Sequence, residues 1–122
     1  FAGVRVICNY LEDIYRVEDS LLRQDDIKLL KRKDYIKNPK ESGYRSLHLV
    51  IEVPIFLSDR TYHMPVEIQI RTVAMDTWAS LEHELKYKRV EEMPEHVAQE
   101  LKDCAKMMAE LDDTMQSIHR ML

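Results

Sequence analysis

Residues 63 to 71, HMPVEIQIR, alternate strictly: Val66, Ile68 and Ile70 fall on one side of an extended chain, and Glu67, Gln69 and Arg71 on the other. The pattern predicts a strand with one apolar face and one face able to carry chemistry, and any fold of this chain has to honour both. Glu67, flanked by Val66 and Ile68, is neither loop decoration nor core. A carboxylate placed this way can hold Mg²⁺ or accept a proton from an attacking hydroxyl. It serves equally as half of a cross-strand ion pair on a solvated sheet face.

The surrounding pattern predicts the rest of the sheet. GVRVICNY reads as a first strand, and Leu11, Ile14, Val17, Leu21 and Leu22 then follow helical spacing to about Arg23. IKLLKRK is a second strand, DYIKNPKESG a loop punctuated by Asn38-Pro39 and Ser42-Gly43, and YRSLHLVIEVPIFL a third strand interrupted at Pro54. A helix from Val73 to about Lys88 sets Ala74, Trp78, Leu81 and Leu85 on one side, with Glu82–Lys86 and Glu84–Lys88 as pairs on the solvated side. Past Pro94, Val97, Leu101, Cys104, Met108, Leu111, Met115, Ile118 and Leu122 recur in steps of four and three, a heptad seam. Such a seam favours a partner helix, and a homo-oligomer with Leu101, Met108, Leu111 and Met115 buried between helices is expected; packing against the helix after Val73 is the alternative. The order β-α-β-β-β-α-α predicts an α+β fold, a mixed sheet flanked by helices with a long C-terminal helix. We divide the chain at 1–92, a core, and 93–122, the heptad helix.

Length and composition fit one globular domain, with no apolar run of the length a membrane span needs and no signal-peptide order at the N-terminus, so a cytoplasmic protein is expected. The chain opens already in strand pattern, as if the numbering began inside a larger protein. Cys8 and Cys104 lack metal-type spacing and are expected to pack as small hydrophobes.

The net charge of −4 hides a local excess: residues 31–48 hold six of the eighteen Lys and Arg against Asp34 and Glu41, about +4, leaving about −8 elsewhere. With only Gly3 and Gly43, and no glycine-rich phosphate loop, any bound phosphates must be met by side chains; Lys33, Lys37, Lys40 and Arg45 are the candidates. Tyr44 after Gly43 can offer a ring to a base, and His48, four residues on, shares its face by the period of two. Each also has a plain structural reading: lysines that solvate a loop, a tyrosine packed in a strand, a satisfied histidine.

Three stretches, AGVRV, KDYIKNPKESGYRSLH and VEIQIRT, with the following WASLEHELKYK, closely resemble the synthetase domain of the RelA/SpoT family, most of all its small alarmone synthetases. The resemblance runs from about residue 2 to 89. It implies a nucleotidyltransferase-like sheet that moves pyrophosphate from ATP to the 3′-hydroxyl of GTP or GDP, yielding (p)ppGpp and AMP with Mg²⁺ as cofactor. By position it implies that Lys33 and Lys40 meet acceptor phosphates, Tyr44 stacks on guanine and His48 reaches the acceptor's phosphates. Arg5 would stack on the donor adenine, and Glu67 would bind Mg²⁺ or orient the 3′-hydroxyl. Gln69, on the acceptor side, and Arg71, on the donor side, are weaker candidates. A second metal-binding Asp of the family would fall just before Phe1, and Ser42 stands where many relatives have Asn. No adjacent His-Asp pair of the family's hydrolase domain is present, so synthesis alone is implied. A homotetramer is implied as well, with single-stranded RNA or (p)ppGpp as conceivable regulators.

The competing reading is a binding module, a nucleotide sensor or single-stranded RNA binder built on the same loop and tyrosine. Glu67 separates the two, because a carboxylate facing phosphates repels them unless a metal intervenes. A bare oligomerisation domain would account for the heptads and for nothing else.

Overall fold

The computed structural model describes residues 2–87 and 91–122. Its elements are β1 (Ala2–Cys8), α1 (Leu11–Leu22), β2 (Lys28–Asp34), β3 (Leu47–Phe56), β4 (Thr61–Thr72), α2 (Val73–Tyr87) and α3 (Glu95–Arg120). The sheet order is β1-β4-β3-β2, with β1 parallel to β4 and the other pairs antiparallel, the mixed sheet expected from the element order. Among the described residues, no helix is long and apolar enough to cross a membrane.

One sheet face is the core. Val66, Ile68 and Ile70 of β4 lie beside Leu47, Leu49 and Ile51 of β3, and α1 covers them with Ile14, fully buried, flanked by Leu11, Val17, Leu21 and Leu22. Burying an isoleucine to this extent contributes about 1.5–3 kcal/mol. The rim of this layer is polar and specific. Arg32 of β2 pairs with Glu18 of α1, and the Tyr15 hydroxyl donates to Asp34 at 2.9 Å. Asp34 also accepts the backbone N–H groups of Ile36 and Lys37, which turns the chain out of β2. Burial pushes its carboxyl up, but these donors and Arg32 outweigh that and hold it below the usual range. Cys8 is buried and Cys104 partly so, both as free thiols.

Several sequence expectations need adjustment. β3 is not interrupted at Pro54: its ladder with β4 runs on through Pro54–His63 to Phe56–Thr61. Pro65, which has no N–H to give, faces Glu52, so that pair and, by alternation, the Pro54–His63 pair are the non-bonded kind. Pro54 therefore turns its missing donor to the side where β2, ending its pairing at Glu52, no longer reaches. In α2, Ala74 and Trp78 are buried and Leu85 partly so, but Leu81 is 40% exposed; Met75 packs into the sheet core and rotates the buried arc away from Leu81. Glu82 pairs with Lys86 at 3.3 Å, yet its side chain is largely covered rather than solvated. The expected Glu84–Lys88 pair involves Lys88, which lies outside the described residues.

α3 divides its seam. Leu101, Ala105, Asp112 and Gln116 are buried and Met108 partly buried against the body, while Met107, Leu111 and Ile118 face outward. The Trp78 indole N–H donates to the Leu101 carbonyl at 2.8 Å, fixing α2 on α3. Leu101 and Met108 are thus committed within the chain, and Leu111 is not buried in it. The Gln116 side chain accepts the Glu12 N–H at 2.9 Å, satisfying an orphan donor in the first turn of α1. Burial pushes the Asp112 carboxyl up, against the opposing pull of Thr72 and Arg45.

Candidate active site

The second sheet face is built by register. Arg5 pairs with Gln69, Gln69 with His48, and His48 with Lys33, so these four form one row across all four strands. Adjacent members of such a row are about 4.8 Å apart in backbone. Two residues along β4 on one side is Glu67, opposite Gly3 of β1; two residues along on the other is Arg71. The loop between β2 and β3 brings Tyr44 and Lys40 over the Arg71 end.

Hydrogen bonds join most of these groups into one assembly. Arg71, 5% exposed, is its hub: it donates through Nη2 to the Tyr44 hydroxyl at 3.1 Å and to Gln69 Oε1, and through Nη1 to Asp76 at 3.4 Å. The Gln69 amide, its oxygen held by Arg71, turns its NH₂ to Glu67 Oε1 at 3.1 Å. Arg5 reaches the same Asp76 oxygen at 3.0 Å. The Tyr44 oxygen lies 2.8 Å from His48 Nε2. Because Arg71 can only donate, the tyrosine accepts from it and is free to give its own proton to the imidazole. Lys40 Nζ sits over the rings of Tyr35 and Tyr44, 4.8 and 5.1 Å from their centroids.

This geometry has a protonic consequence. Burial pulls the His48 pKa below its ordinary value; Glu67 pulls it up, and Lys40 and Arg71 push it further down. The imidazole is therefore neutral at pH 7 and able to accept from Tyr44. Since the folded-state pKa lies below the unfolded one, the stability this bond contributes is full above about pH 6.5 and is lost as pH falls through the folded value. In an NMR titration without nucleotide, His48 should titrate below 6.5, and in Glu67→Gln lower still; a wild-type midpoint at or above 6.5 would contradict this arrangement.

Lys33 stands in the row on the outer strand, exposed and away from the hub. Two sequence candidates for phosphate contact point elsewhere. Lys37 lies over the Tyr15 ring at 5.3 Å, on the α1 side of the sheet. Arg45, with only 11% of its side chain exposed, turns inward to Asp112 at 3.9 Å. Ser42 uses its hydroxyl on the Tyr44 N–H, at 3.4 Å.

Two hollows open on this face. One, about 650 Å³, lies between the sheet and α2 and is lined by Arg5, Tyr44, Gln69, Arg71, His83 and Lys86, among others. The other, about 250 Å³, lies beside Glu67 and is lined by Gly3, Val4, Arg5, Glu67 and Gln69. They meet at Arg5 and Gln69. Sequence reasoning missed Asp76 and the α2 wall; the signal available for Asp76 was an acidic residue in the first turn of a helix that begins right after the arginine-bearing strand.

No group of three or more His, Cys, Asp or Glu able to cage a metal occurs among the described residues. Mg²⁺, however, keeps several waters and takes one or two carboxylates plus phosphates. A Cβ added at Gly3, opposite Glu67, would meet nothing within 4 Å, so a carboxylate and room for a hydrated ion are both present.

The sheet thus has one face covered by α1 and one bearing this assembly. Residues 1–92 match the family described as the region found in RelA / SpoT proteins, and the chain belongs to that family. It is 48% identical over 119 residues to GTP pyrophosphokinase YwaC of Bacillus subtilis (strain 168), covering 98% of this chain and 57% of that protein. It is 41% identical over 117 residues to GTP pyrophosphokinase YjbM of the same organism, covering 96% of this chain and 56% of that protein. The chain therefore spans a little over half the length of these relatives. The fold matches small alarmone synthetase 2 from Bacillus subtilis with a TM-score of 0.94 at 47% identity, over 98% of this chain and 65% of that one. Against small alarmone synthetase 1 from that organism, bound to its product pppGpp, the TM-score is 0.89 at 39% identity, over 97% of this chain and 61% of that one.

Proposed function

We propose that this chain carries the core of a GTP pyrophosphokinase, which transfers the β,γ-pyrophosphate of ATP to the 3′-hydroxyl of GTP or GDP. The observation that carries the reading is the pair of hollows meeting at Arg5 and Gln69, with Glu67 lining the smaller one and hydrogen-bonded to Gln69 at the junction. Two nucleotides bound there would bring their reacting ends together at the carboxylate. The names of the relatives, and the pppGpp bound to one of them, point to the same chemistry.

In this reading the acceptor occupies the larger hollow, its guanine against Tyr44 and its phosphates toward Lys40, His48 and Lys33. The donor adenine lies over Arg5; Arg71, which resemblance sets on the donor side, lines the larger hollow with Tyr44 and in this reading serves the acceptor. The 3′-oxygen attacks the β-phosphorus of ATP, the bond from that phosphorus to the α-phosphate oxygen breaks, AMP leaves, and Glu67 takes the hydroxyl proton. Gln69, held by Arg71, keeps the Glu67 carboxylate aimed. Glu67 together with substrate phosphates would hold Mg²⁺, which when bound neutralises phosphate charge. Positioning and charge neutralisation are what phosphoryl chemistry chiefly asks of a protein. The outward stripe of Met107, Leu111 and Ile118 on α3 suits assembly into a homotetramer through residues 93–122. RNA or (p)ppGpp would be regulators of such an assembly, and a cytoplasmic location fits its nucleotide substrates.

Tyr44 tests the placement of substrates. Replacing it by Ala should weaken guanine nucleotide binding about five- to hundred-fold, the loss of about 1–3 kcal/mol of base stacking. The Phe variant keeps the ring but strips Arg71 and His48 of a partner, so a few-fold loss is expected, intermediate between wild type and Ala. Binding of ATP should stay within about twofold of wild type in both. Equal loss for ATP and GTP with a lower melting temperature would remove Tyr44 from the site. AMP should accumulate only when ATP and a guanine nucleotide are both present; tight nucleotide or RNA binding without any AMP would favour the binding module.

A further inference from the structure

We infer that Asp112 of α3, remote in sequence from every residue lining the site, is a positioning residue for the acceptor end of the site. The inference deepens the functional reading and rests on it for the identity of the ligand. Asp112 is 1% exposed, and its Oδ2 accepts the Thr72 hydroxyl proton at 2.7 Å and lies 3.9 Å from Arg45 Nη1. Thr72 is the residue after Arg71, and Arg45 is the residue after Tyr44. On the site side, Arg71 and Tyr44 are themselves joined by the 3.1 Å hydrogen bond that frees the tyrosine proton for His48. One buried carboxylate therefore holds from behind the two chain segments whose neighbouring residues meet in front. Thr72 also accepts the Met75 N–H at 3.2 Å, a bond at the start of α2 that does not involve Asp112.

The cluster is poorly designed for stability alone. Arg45 Nη1, Asp112 Oδ1 and Gln116 Nε2 are buried without a hydrogen-bond partner among the described residues. Buried pairs left part-satisfied tend to contribute less than a well-packed apolar replacement, whereas they fix geometry well. The geometry fixed here is the spacing between Tyr44 and Arg71, and through Tyr44 the orientation of the His48 ring.

The experiment uses the full-length protein with Asp112→Ala, Asp112→Asn and Thr72→Val, measuring calorimetric affinities for GTP and ATP, melting temperature, and the His48 tautomer by ¹⁵N NMR. In wild type the proton should reside on Nδ1, because Nε2 accepts from Tyr44. Asp112→Ala should lower GTP affinity by about tenfold, leave ATP within about twofold, and give His48 a mixture of tautomers. Asp112→Asn, which keeps an oxygen for Thr72, should restore most of both readouts, and Thr72→Val should move them in the direction of Ala. Wild-type GTP affinity and tautomer in a folded Asp112→Ala protein would overturn the inference. So would equal losses for both nucleotides that track melting temperature. Should the Ala variant fail to fold, Thr72→Val decides on the same terms. Absence of GTP binding in wild type would remove the functional reading instead, and the tautomer comparison would still decide the role of Asp112.

Discussion

Glu67→Gln should lower the proposed pyrophosphate transfer by about two to three orders of magnitude while guanine nucleotide affinity stays within a few-fold of wild type, the largest functional effect expected of any single substitution here. Glutamine keeps the shape and still meets the Gln69 amide, but it neither takes the 3′-hydroxyl proton nor carries charge toward a cation. Both roles matter chiefly in the transition state, so the loss should fall on kcat and not on substrate binding. Steady-state rates beside calorimetric GTP affinities check this, and wild-type turnover in the variant would end the assignment.

Gly43→Ala should have the largest effect on stability, about 2–5 kcal/mol. Gly43 has φ of +105°, and an added Cβ would sit 2.8 Å from the Ala105 Cβ and 3.3 Å from Trp78 Cζ2. Backbone strain and overpacking therefore act together at the point where the basic loop crosses α2 and α3. Against a total stability of about 5–15 kcal/mol the loss is large, and the melting temperature should fall by roughly 10 °C or more. Adding Ala105→Gly removes the contact but not the positive φ, so the double variant should recover only part of the loss. Full recovery would mean that the strain is negligible, and no loss in the single variant would mean that the loop packs differently.

What sequence could and could not disclose follows from the range of each signal. The period of two in β4 separates Glu67, Gln69 and Arg71 from Val66, Ile68 and Ile70, and the structure keeps that separation. The same rule, applied one residue after Tyr44, sets Arg45 on the opposite side from Tyr44 and His48; charge count alone does not distinguish it from the phosphate candidates. Lys37 covers the Tyr15 ring; a basic run does not disclose which ring each cation will cover. The row Arg5–Gln69–His48–Lys33 depends on the parallel pairing of β1 with β4, a nonlocal contact that no window of sequence contains. Arg5 entered by resemblance, not by pattern. On α3 the heptad spacing selected apolar residues, whereas the buried face includes Asp112 and Gln116, whose partners Thr72 and Glu12 are distant in the chain. Buried polar residues are invisible to a hydrophobic periodicity.

If the two hollows bring two nucleotides together, an intact pyrophosphoryl group passes between them beside Glu67. The most direct measurement gives the full-length protein ATP labelled at both the β and γ phosphorus, together with GTP and Mg²⁺, and follows both labels. Both labels should arrive together, still linked, on the 3′-oxygen of one guanine nucleotide, with one AMP formed per product and about a hundred- to thousand-fold slower formation by Glu67→Gln. Label appearing only as inorganic phosphate, only the γ label reaching the guanine nucleotide, or no transfer at all despite GTP binding would contradict it.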